Sequence, residues 1–272
     1  MHQAERDARA YKLAKEYLLG LPSVTPEVIE KHLNFPDTAK PPSIPIIYER
    51  ILESAKNTGM KKGVIGEVKK LRPVLCDFNP TGVLKKFPTL DWKPILDEIE
   101  AVVKPSGKIR RTGRAIWPHY CQTILSAARF LEQFSSCDDF YRWLDFFDRD
   151  PRSRPALPWL VAQEIDGFGF ALACDFLKEL GYANFAKPDV HLRHIFTALG
   201  LCSDDANDYE LFKAIVRVAQ HAGLTPYSVD KAFWLIGSGY FYRDKQIGRN
   251  GRTGSHEPEF IALAQRTLAA ED

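Results

Sequence analysis

The residues best suited to chemistry lie in one short stretch of the second half of the chain, where a glycine turn is followed by an aspartate. Gly167 and Gly169 flank Phe168 between two helical patterns, a spacing typical of a tight turn joining two helices. The backbone amides that open the second helix lack partners within it, so they can donate hydrogen bonds to a phosphate oxygen. Asp189 follows Pro188, where a further helix is expected to start. A carboxylate there can cap the helix, accept a proton from water or stabilise a developing positive charge.

These residues resemble the motif of the helix-hairpin-helix GPD superfamily of DNA glycosylases, whose pattern is L-P-G-V-G-x-K-T-A followed by P-V-D-x-H. The matching segments are Ile165-Asp166-Gly167-Phe168-Gly169-Phe170-Ala171-Leu172-Ala173 and Pro188-Asp189-Val190-His191. The separation between Ala171, at the family's lysine position, and Asp189 is the usual one in the family. The resemblance implies that Asp189 is catalytic. It also implies a DNA-binding hairpin made of Gly167, Phe168, Gly169, Phe170 and Ala171.

Two departures from the family pattern narrow the expected chemistry. Bifunctional members use the hairpin lysine to form a Schiff base with the sugar, and Ala171 has no amine for that step. Endonuclease III-like members hold an iron–sulfur cluster with four closely spaced cysteines, whereas the five cysteines here are scattered. They are Cys76, Cys121, Cys137, Cys174 and Cys202. The resemblance is therefore to cluster-free, monofunctional members, of the AlkA or MutY-like kind in chemistry. It implies that this chain needs no cofactor and leaves an abasic site.

The resemblance also suggests residues that contact the flipped-out base and the gap it leaves. Lys56 or Asn57 would be the wedge, because Leu52-Glu53-Ser54-Ala55-Lys56-Asn57-Thr58 is similar to the family's S-A-Q segment. Trp117, His119 and Tyr120 are expected to line a base pocket, although a core position is the commoner role for an aromatic residue. Other aromatic candidates for that wall are Trp159, Trp234 and Tyr240.

We expect no metal site, with one exception. The backbone carbonyls of Gly167 and Gly169 are candidates to hold a monovalent cation. His191 and His194 are expected to pack or cap rather than to bind a metal, because no cysteine or carboxylate cluster completes a site of the usual spacing.

Composition predicts a globular protein without a membrane segment. The 272 residues are 45% hydrophobic and 26% charged, and no apolar run approaches the roughly 18 residues that cross a bilayer. Scattered cysteines and the absence of a signal-peptide pattern favour a cytoplasmic protein. The resemblance implies association with the nucleoid of a prokaryote, as a monomer. The net charge of +2 is compatible with DNA binding but does not indicate it. Basic residues gather in two polar loops, 104–114 and 243–256, which we expect to touch phosphates.

Apolar spacing is helical nearly everywhere, and no stretch alternates with the period of a strand, so the predicted class is all-α. Predicted helices include 61–72, 91–103, 115–133, 137–148, 155–165, 170–181, 189–200, 205–222, 226–240 and 257–270. The resemblance implies two lobes with DNA in the cleft between them. Residues 45–199 would form a helical barrel carrying the hairpin and Asp189. Residues 1–44 and 200–272 would form the second lobe.

Three hypotheses about function remain open from sequence. The first is a monofunctional glycosylase that removes a damaged or modified base from double-stranded DNA, in DNA repair or in antiviral defence against bulky, for example glucosylated, cytosines. The second is a non-catalytic helix-hairpin-helix protein that only binds DNA. The third is an all-α interaction module in which the motif is coincidental. Asp189 in register with the hairpin favours the first hypothesis, and the basic loops favour the first two over the third.

Overall fold

A computed structural model of the chain describes residues 2–37, 39–56, 65–105, 107, 109–112, 115–242 and 244–271. Within these residues the chain forms thirteen α-helices and no β-strand, which confirms the predicted all-α class. An isolated antiparallel bridge joins Tyr240 and Arg252. None of the helices in this part of the chain combines the length and the apolar character needed to cross a membrane.

The chain divides into two compact units. The terminal unit comprises Met1–Thr38 and Gly181–Asp272, and the central unit is Ala39–Leu180. The divisions therefore fall near residues 38 and 180, whereas the resemblance placed them near 44 and 199. The second division falls before Asp189 because Leu192, Ile195 and Phe196 are buried in the core of the terminal unit. The helix after Asp189 therefore packs in that unit.

The central unit contains seven α-helices among its described residues, and the long helix α6 (Ile116–Glu132) packs against several of them. Two buried tyrosines join it to α3 (Ile44–Ala55): Tyr48 Oη donates to the carbonyl of Ile124 at 2.6 Å, and Tyr120 Oη donates to that of Leu52 at 3.0 Å. The helices are α3 (Ile44–Ala55), α4 (Pro80–Lys86), α5 (Trp92–Val102), α6 (Ile116–Glu132), α7 (Cys137–Asp148), α8 (Ala156–Glu164) and α9 (Phe170–Glu179).

The terminal unit joins both ends of the chain in one hydrophobic core. Its helices are α1 (Gln3–Leu19), α2 (Pro26–Leu33), α10 (Val190–Ala198), α11 (Asp208–Ala222), α12 (Pro226–Ser238) and α13 (Glu257–Glu271). Ala10 and Leu18 of α1 lie in that core with Phe233 of α12 and Phe260 of α13. Asp7, fully buried on α1, pairs with Arg217 at 2.8 Å on α11, so the ion pair links segments far apart in sequence.

Local capping explains why most helix starts were predictable. Thr25 and Thr225 each accept a hydrogen bond from a backbone amide of the first turn, and a proline follows each of them. The same signal at Asn79, which caps α4, escaped the sequence analysis. The helix predicted over 61–72 is represented only by a 3₁₀ turn at Val68–Leu71, and residues 57–64 lie outside the described part of the chain.

Candidate functional site

The hairpin turn of the central unit depends on Gly167. After α8 the chain turns, the amide of Phe168 donates to the carbonyl of Ile165 at 3.0 Å, and Gly167 adopts a φ of +82°. A Cβ on Gly167 would lie 2.7 Å from His119 Nε2 and 2.9 Å from Thr123 Oγ1. Glycine is therefore required here both for the backbone conformation and for the close approach of α6.

Two hydroxyl groups on α6 hold the turn from beneath. Thr123 Oγ1 donates to the carbonyl of Asp166 at 2.6 Å, and Ser126 Oγ accepts from the amide of Asp166 at 2.9 Å. Both backbone groups of Asp166 are thus satisfied by side chains of the protein, which fixes the turn against the helix. These supports were not predictable from sequence, because nothing in the residue spacing of α6 indicates which of its faces meets the hairpin.

Gly169 differs from Gly167 in its surroundings. Its φ is −92°, which any residue can adopt, and a Cβ placed on it would meet no atom within 4 Å. Gly169 is exposed and is the N-cap residue of α9. Its two phenylalanine neighbours, Phe168 and Phe170, are buried. Among the described residues the amide of Ala171 has no backbone acceptor. The outer face of the turn is therefore bare backbone that a ligand can approach closely.

Asp189 is the N-cap of α10 in the terminal unit. Its Oδ1 accepts hydrogen bonds from the amides of His191 at 3.0 Å and Leu192 at 3.2 Å. No hydrogen bond to Oδ2 occurs among the described residues. Burial raises the pKa of this carboxyl above its ordinary value; the hydrogen bond from Leu192 opposes the rise, and the charge of Asp230 adds to it.

Asp230 of α12 positions the segment that leads into Asp189. Its side chain is only 2% exposed, and its Oδ2 accepts a hydrogen bond from the amide of Lys187 at 3.0 Å. The sequence analysis did not single out this carboxylate. A buried aspartate inside an apolar helix was the available signal, because such a group needs partners supplied by another segment.

Both histidines that follow Asp189 bind the same carboxylate, Glu257 at the start of α13. His191 Nδ1 lies 3.4 Å from its Oε2, and His194 Nδ1 lies 3.1 Å from its Oε1. A Cβ on Gly237 of α12 would lie 2.6 Å from that of His191, so the glycine allows α10 and α12 to approach closely. Among the described residues there is no group of three or more metal-ligand side chains arranged to hold an ion.

The wedge and pocket residues suggested by the resemblance have varied surroundings. Lys56 ends α3, and its Nζ donates to the carbonyl of Gly66 at 2.9 Å and pairs with Glu53, whereas Asn57 lies outside the described residues. Trp117 and Tyr120 are buried in the central unit, with the rings in an edge-to-face contact. These positions are those of core residues, the alternative role considered for them.

The remaining residue of the predicted pocket, His119, lies directly under the hairpin against Gly167. Trp159 is the exposed aromatic neighbour of the same turn, with 45% of its surface accessible and its ring centroid 5.2 Å from that of Phe170. Trp234 and Tyr240 belong to the terminal unit, where their rings are in contact with each other.

The two basic loops present different amounts of free charge. In the first loop Arg111 is paired with Asp97 at 2.6 Å and with Glu100. Part of the positive charge of this loop is therefore neutralised. In the second loop Lys245 and Arg249 are exposed and form no ion pair with any described residue. Residues 106, 108, 113, 114 and 243 of these loops lie outside the described part of the chain.

Comparison of the chain with family models, with curated proteins and with solved structures finds no match. The two segments of the motif therefore have to be judged on their own geometry. The hairpin belongs to the central unit and Asp189 to the terminal unit. Each is held by neighbouring side chains within its own unit.

Proposed function

We propose that this protein is a monofunctional DNA glycosylase, with Asp189 as its catalytic carboxylate. The observation that carries the proposal is the state of that side chain. Oδ1 is fixed by two helix amides, no described residue hydrogen bonds to Oδ2, and burial raises the pKa of the group. A rigid carboxylate with one oxygen available can orient a water molecule. A raised pKa makes the group a better proton acceptor.

The proposed reaction breaks the bond between C1′ of a deoxyribose and the nitrogen of a flipped-out base. The base leaves with the bonding electron pair, and positive charge develops on the sugar, where the negative charge of Asp189 stabilises it. A water molecule forms the new bond to C1′ and passes a proton to Asp189 Oδ2. That proton then leaves to the released base or to solvent. The products are a free base and an abasic site in an intact strand.

The hairpin supports the proposal as a site for the DNA backbone. The amide of Ala171, which has no backbone acceptor among the described residues, and the open space at the Cβ position of Gly169 would allow a phosphate oxygen to reach the start of α9. Such a contact positions DNA without reading its sequence, because phosphates are the same at every base pair.

Ala171 determines the expected product. A Schiff base with the opened sugar requires an amine, and a methyl side chain offers none. The proposal is therefore restricted to hydrolysis without strand cleavage. The excised base is either a damaged base, in a repair role, or a bulky modified cytosine, in antiviral defence.

Release of free bases tests the function directly. The purified protein is incubated with duplexes that carry damaged, mismatched or glucosylated bases, and the small molecules released are identified by mass spectrometry. The proposal expects at least one modified base to be released by wild-type protein and not by Asp189→Asn. Equal release by both proteins would show that another group is responsible.

A non-catalytic DNA-binding protein is the second candidate, and one observation favours it. The two hydrogen bonds to Oδ1 are those of an ordinary helix N-cap, so they account for Asp189 without any chemistry. This candidate expects duplex DNA to bind while no base is released from any substrate in the panel.

A further inference from the structure

One surface of the terminal unit combines aromatic rings with basic groups, and we call it the aromatic–basic surface. It consists of Trp234 on α12 and of Tyr240, Tyr242 and Arg252, which follow that helix; the buried Lys231 of α12 lies against the ring of Tyr242. The ring centroids of Trp234 and Tyr242 are 5.2 Å apart with planes inclined by 26°, and those of Tyr240 and Tyr242 are 5.6 Å apart. Tyr242 is 48% exposed, so the cluster extends to the solvent.

The loop that carries these rings is firmly anchored. The amide of Phe241 donates to the carbonyl of Gly251 at 2.7 Å, and the amide of Thr253 donates to that of Gly239 at 2.9 Å. Gly239 has a φ of +58°, and a Cβ on it would lie 1.7 Å from the carbonyl oxygen of Gly254. Phe241 is fully buried beneath the loop. The rings are therefore held in place before any ligand arrives.

Basic groups lie close to the rings. Lys231 Nζ lies 4.6 Å from the ring centroid of Tyr242, and Arg252 Cζ lies 4.7 Å from that of Tyr240. Lys245 and Arg249 are exposed in the same loop without ion pairs to described residues. The acidic residue of the loop, Asp244, is buried and paired with Lys31 at 2.8 Å. An anionic ligand is thus favoured over a cationic one.

We propose that the aromatic–basic surface binds an unpaired nucleic-acid strand. Bases would stack on Tyr240 and Tyr242, while Lys245, Arg249 and Arg252 would contact the phosphates. Every base has a flat face, so this combination of rings and basic groups accepts single strands of any sequence. In a duplex those faces are hidden between neighbouring pairs. The proposal uses neither Asp189 nor the hairpin and does not rest on glycosylase activity.

Binding of a fluorescent oligothymidylate of about 15 nucleotides, followed by anisotropy, tests the stacking. Tyr240→Ala should weaken the affinity by roughly tenfold, whereas the matched variant Tyr240→Phe, which keeps the ring, should bind as wild type does. An oligonucleotide of the same length made only of abasic sites carries the charge without the bases. It should bind more weakly to wild type and equally to both variants. Circular dichroism and melting confirm that each variant is folded.

The charge contribution is tested with Lys245→Gln/Arg249→Gln, a double change on the exposed part of the loop. It should weaken oligothymidylate and abasic strand alike and reduce the slope of log affinity against log salt by about 1 to 2. The proposal fails if wild type does not bind oligothymidylate at moderate salt. It also fails if duplex binding is more sensitive to Tyr240→Ala than single-strand binding. Competition by polyglutamate in place of oligothymidylate would assign the surface to an acidic protein.

Discussion

At the scale of single residues, Asp189 combines a structural and a chemical property in one carboxylate. Oδ1 caps α10, which fixes the orientation of the group, and burial raises its pKa. Capping occupies Oδ1 and leaves Oδ2 without a hydrogen bond from any described residue. The capping role and the proposed catalytic role can therefore be separated by substitution. Asparagine retains an oxygen that can cap a helix, whereas alanine retains neither the cap nor the charge.

We predict that Asp189→Asn lowers the rate of base release by about a hundredfold or more, because the developing charge on the sugar loses its partner. Stability and DNA affinity should remain close to those of wild type. Single-turnover kinetics on an identified substrate, together with thermal melting, provide the measurement. As a control, Asp189→Ala should also lose about 1 kcal/mol of stability with the cap. Near wild-type release by the asparagine variant would remove Asp189 from the mechanism.

Ala171 leads to a prediction about the product. Incubation with substrate should yield an intact strand that breaks only after alkali or an added endonuclease, since no hairpin amine can attack the sugar. Borohydride should trap no covalent complex on a denaturing gel. The matched control is Ala171→Lys, which introduces an amine at the half-buried start of α9. A trapped adduct with wild-type protein would identify another lysine, such as Lys187, as a nucleophile.

At the scale of elements, the hairpin has two glycines with different functions. Gly167 is required by the protein itself, through its positive φ and the contact with His119. No contact among the described residues requires a glycine at position 169, since its φ is ordinary and its Cβ position is open. The open space at Gly169 leaves room for an external ligand to approach the backbone.

We predict that Gly169→Val weakens binding to duplexes of every sequence, by a few kcal/mol at most, because the side chain keeps phosphates away from the start of α9. The variant should still fold, with a melting temperature near that of wild type. Gly167→Ala serves as the contrast, because its Cβ meets α6 and should lower stability by one to a few kcal/mol. Unchanged affinity of folded Gly169→Val at moderate salt would make the hairpin a purely structural turn.

At the scale of the whole molecule, the terminal unit is assembled from both ends of the chain. Asp7 of α1 is fully buried and accepts hydrogen bonds from Arg217 at 2.8 Å and from His221 at 2.7 Å, both on α11. Burial alone would raise the pKa of Asp7, but the bonds from Arg217, His221 and Gln3 outweigh it and lower the pKa below 3.8. The ionised form is therefore favoured by folding.

This lowered pKa predicts how stability depends on pH. The stabilisation from Asp7 is fully present above the ordinary pKa of 3.8 and is lost as the pH falls through the lower value of the folded state. Urea unfolding between about pH 6 and pH 2 should show this loss. Asp7→Asn should remove it and lower stability at neutral pH by roughly 1 to 3 kcal/mol, since the partly exposed Arg217 and His221 lose their charged acceptor. An identical acid profile for both proteins would contradict the assignment.

The helical class and most helix bounds could be predicted from the sequence, because they depend on apolar spacing and on caps a few residues away. The sequence also indicated that Asp189 begins a helix and that a turn surrounds Gly167. Contacts between distant segments were decided only by the tertiary structure. Thr123 and Ser126 beneath the hairpin could not be predicted, because helical spacing shows which face is apolar but not what packs on it.

Contacts between distant segments also decide how the chain divides into units and which aromatic residues are buried. The helix after Asp189 joined the terminal unit because the buried partners of Phe196 lie at both ends of the chain, and local sequence carries no information about them. Aromatic type alone cannot distinguish a buried ring such as Tyr120 from an exposed one such as Tyr242, since both are compatible with a helix or a loop. Burial is a property of the packed molecule, and it determines which of these residues a ligand can reach.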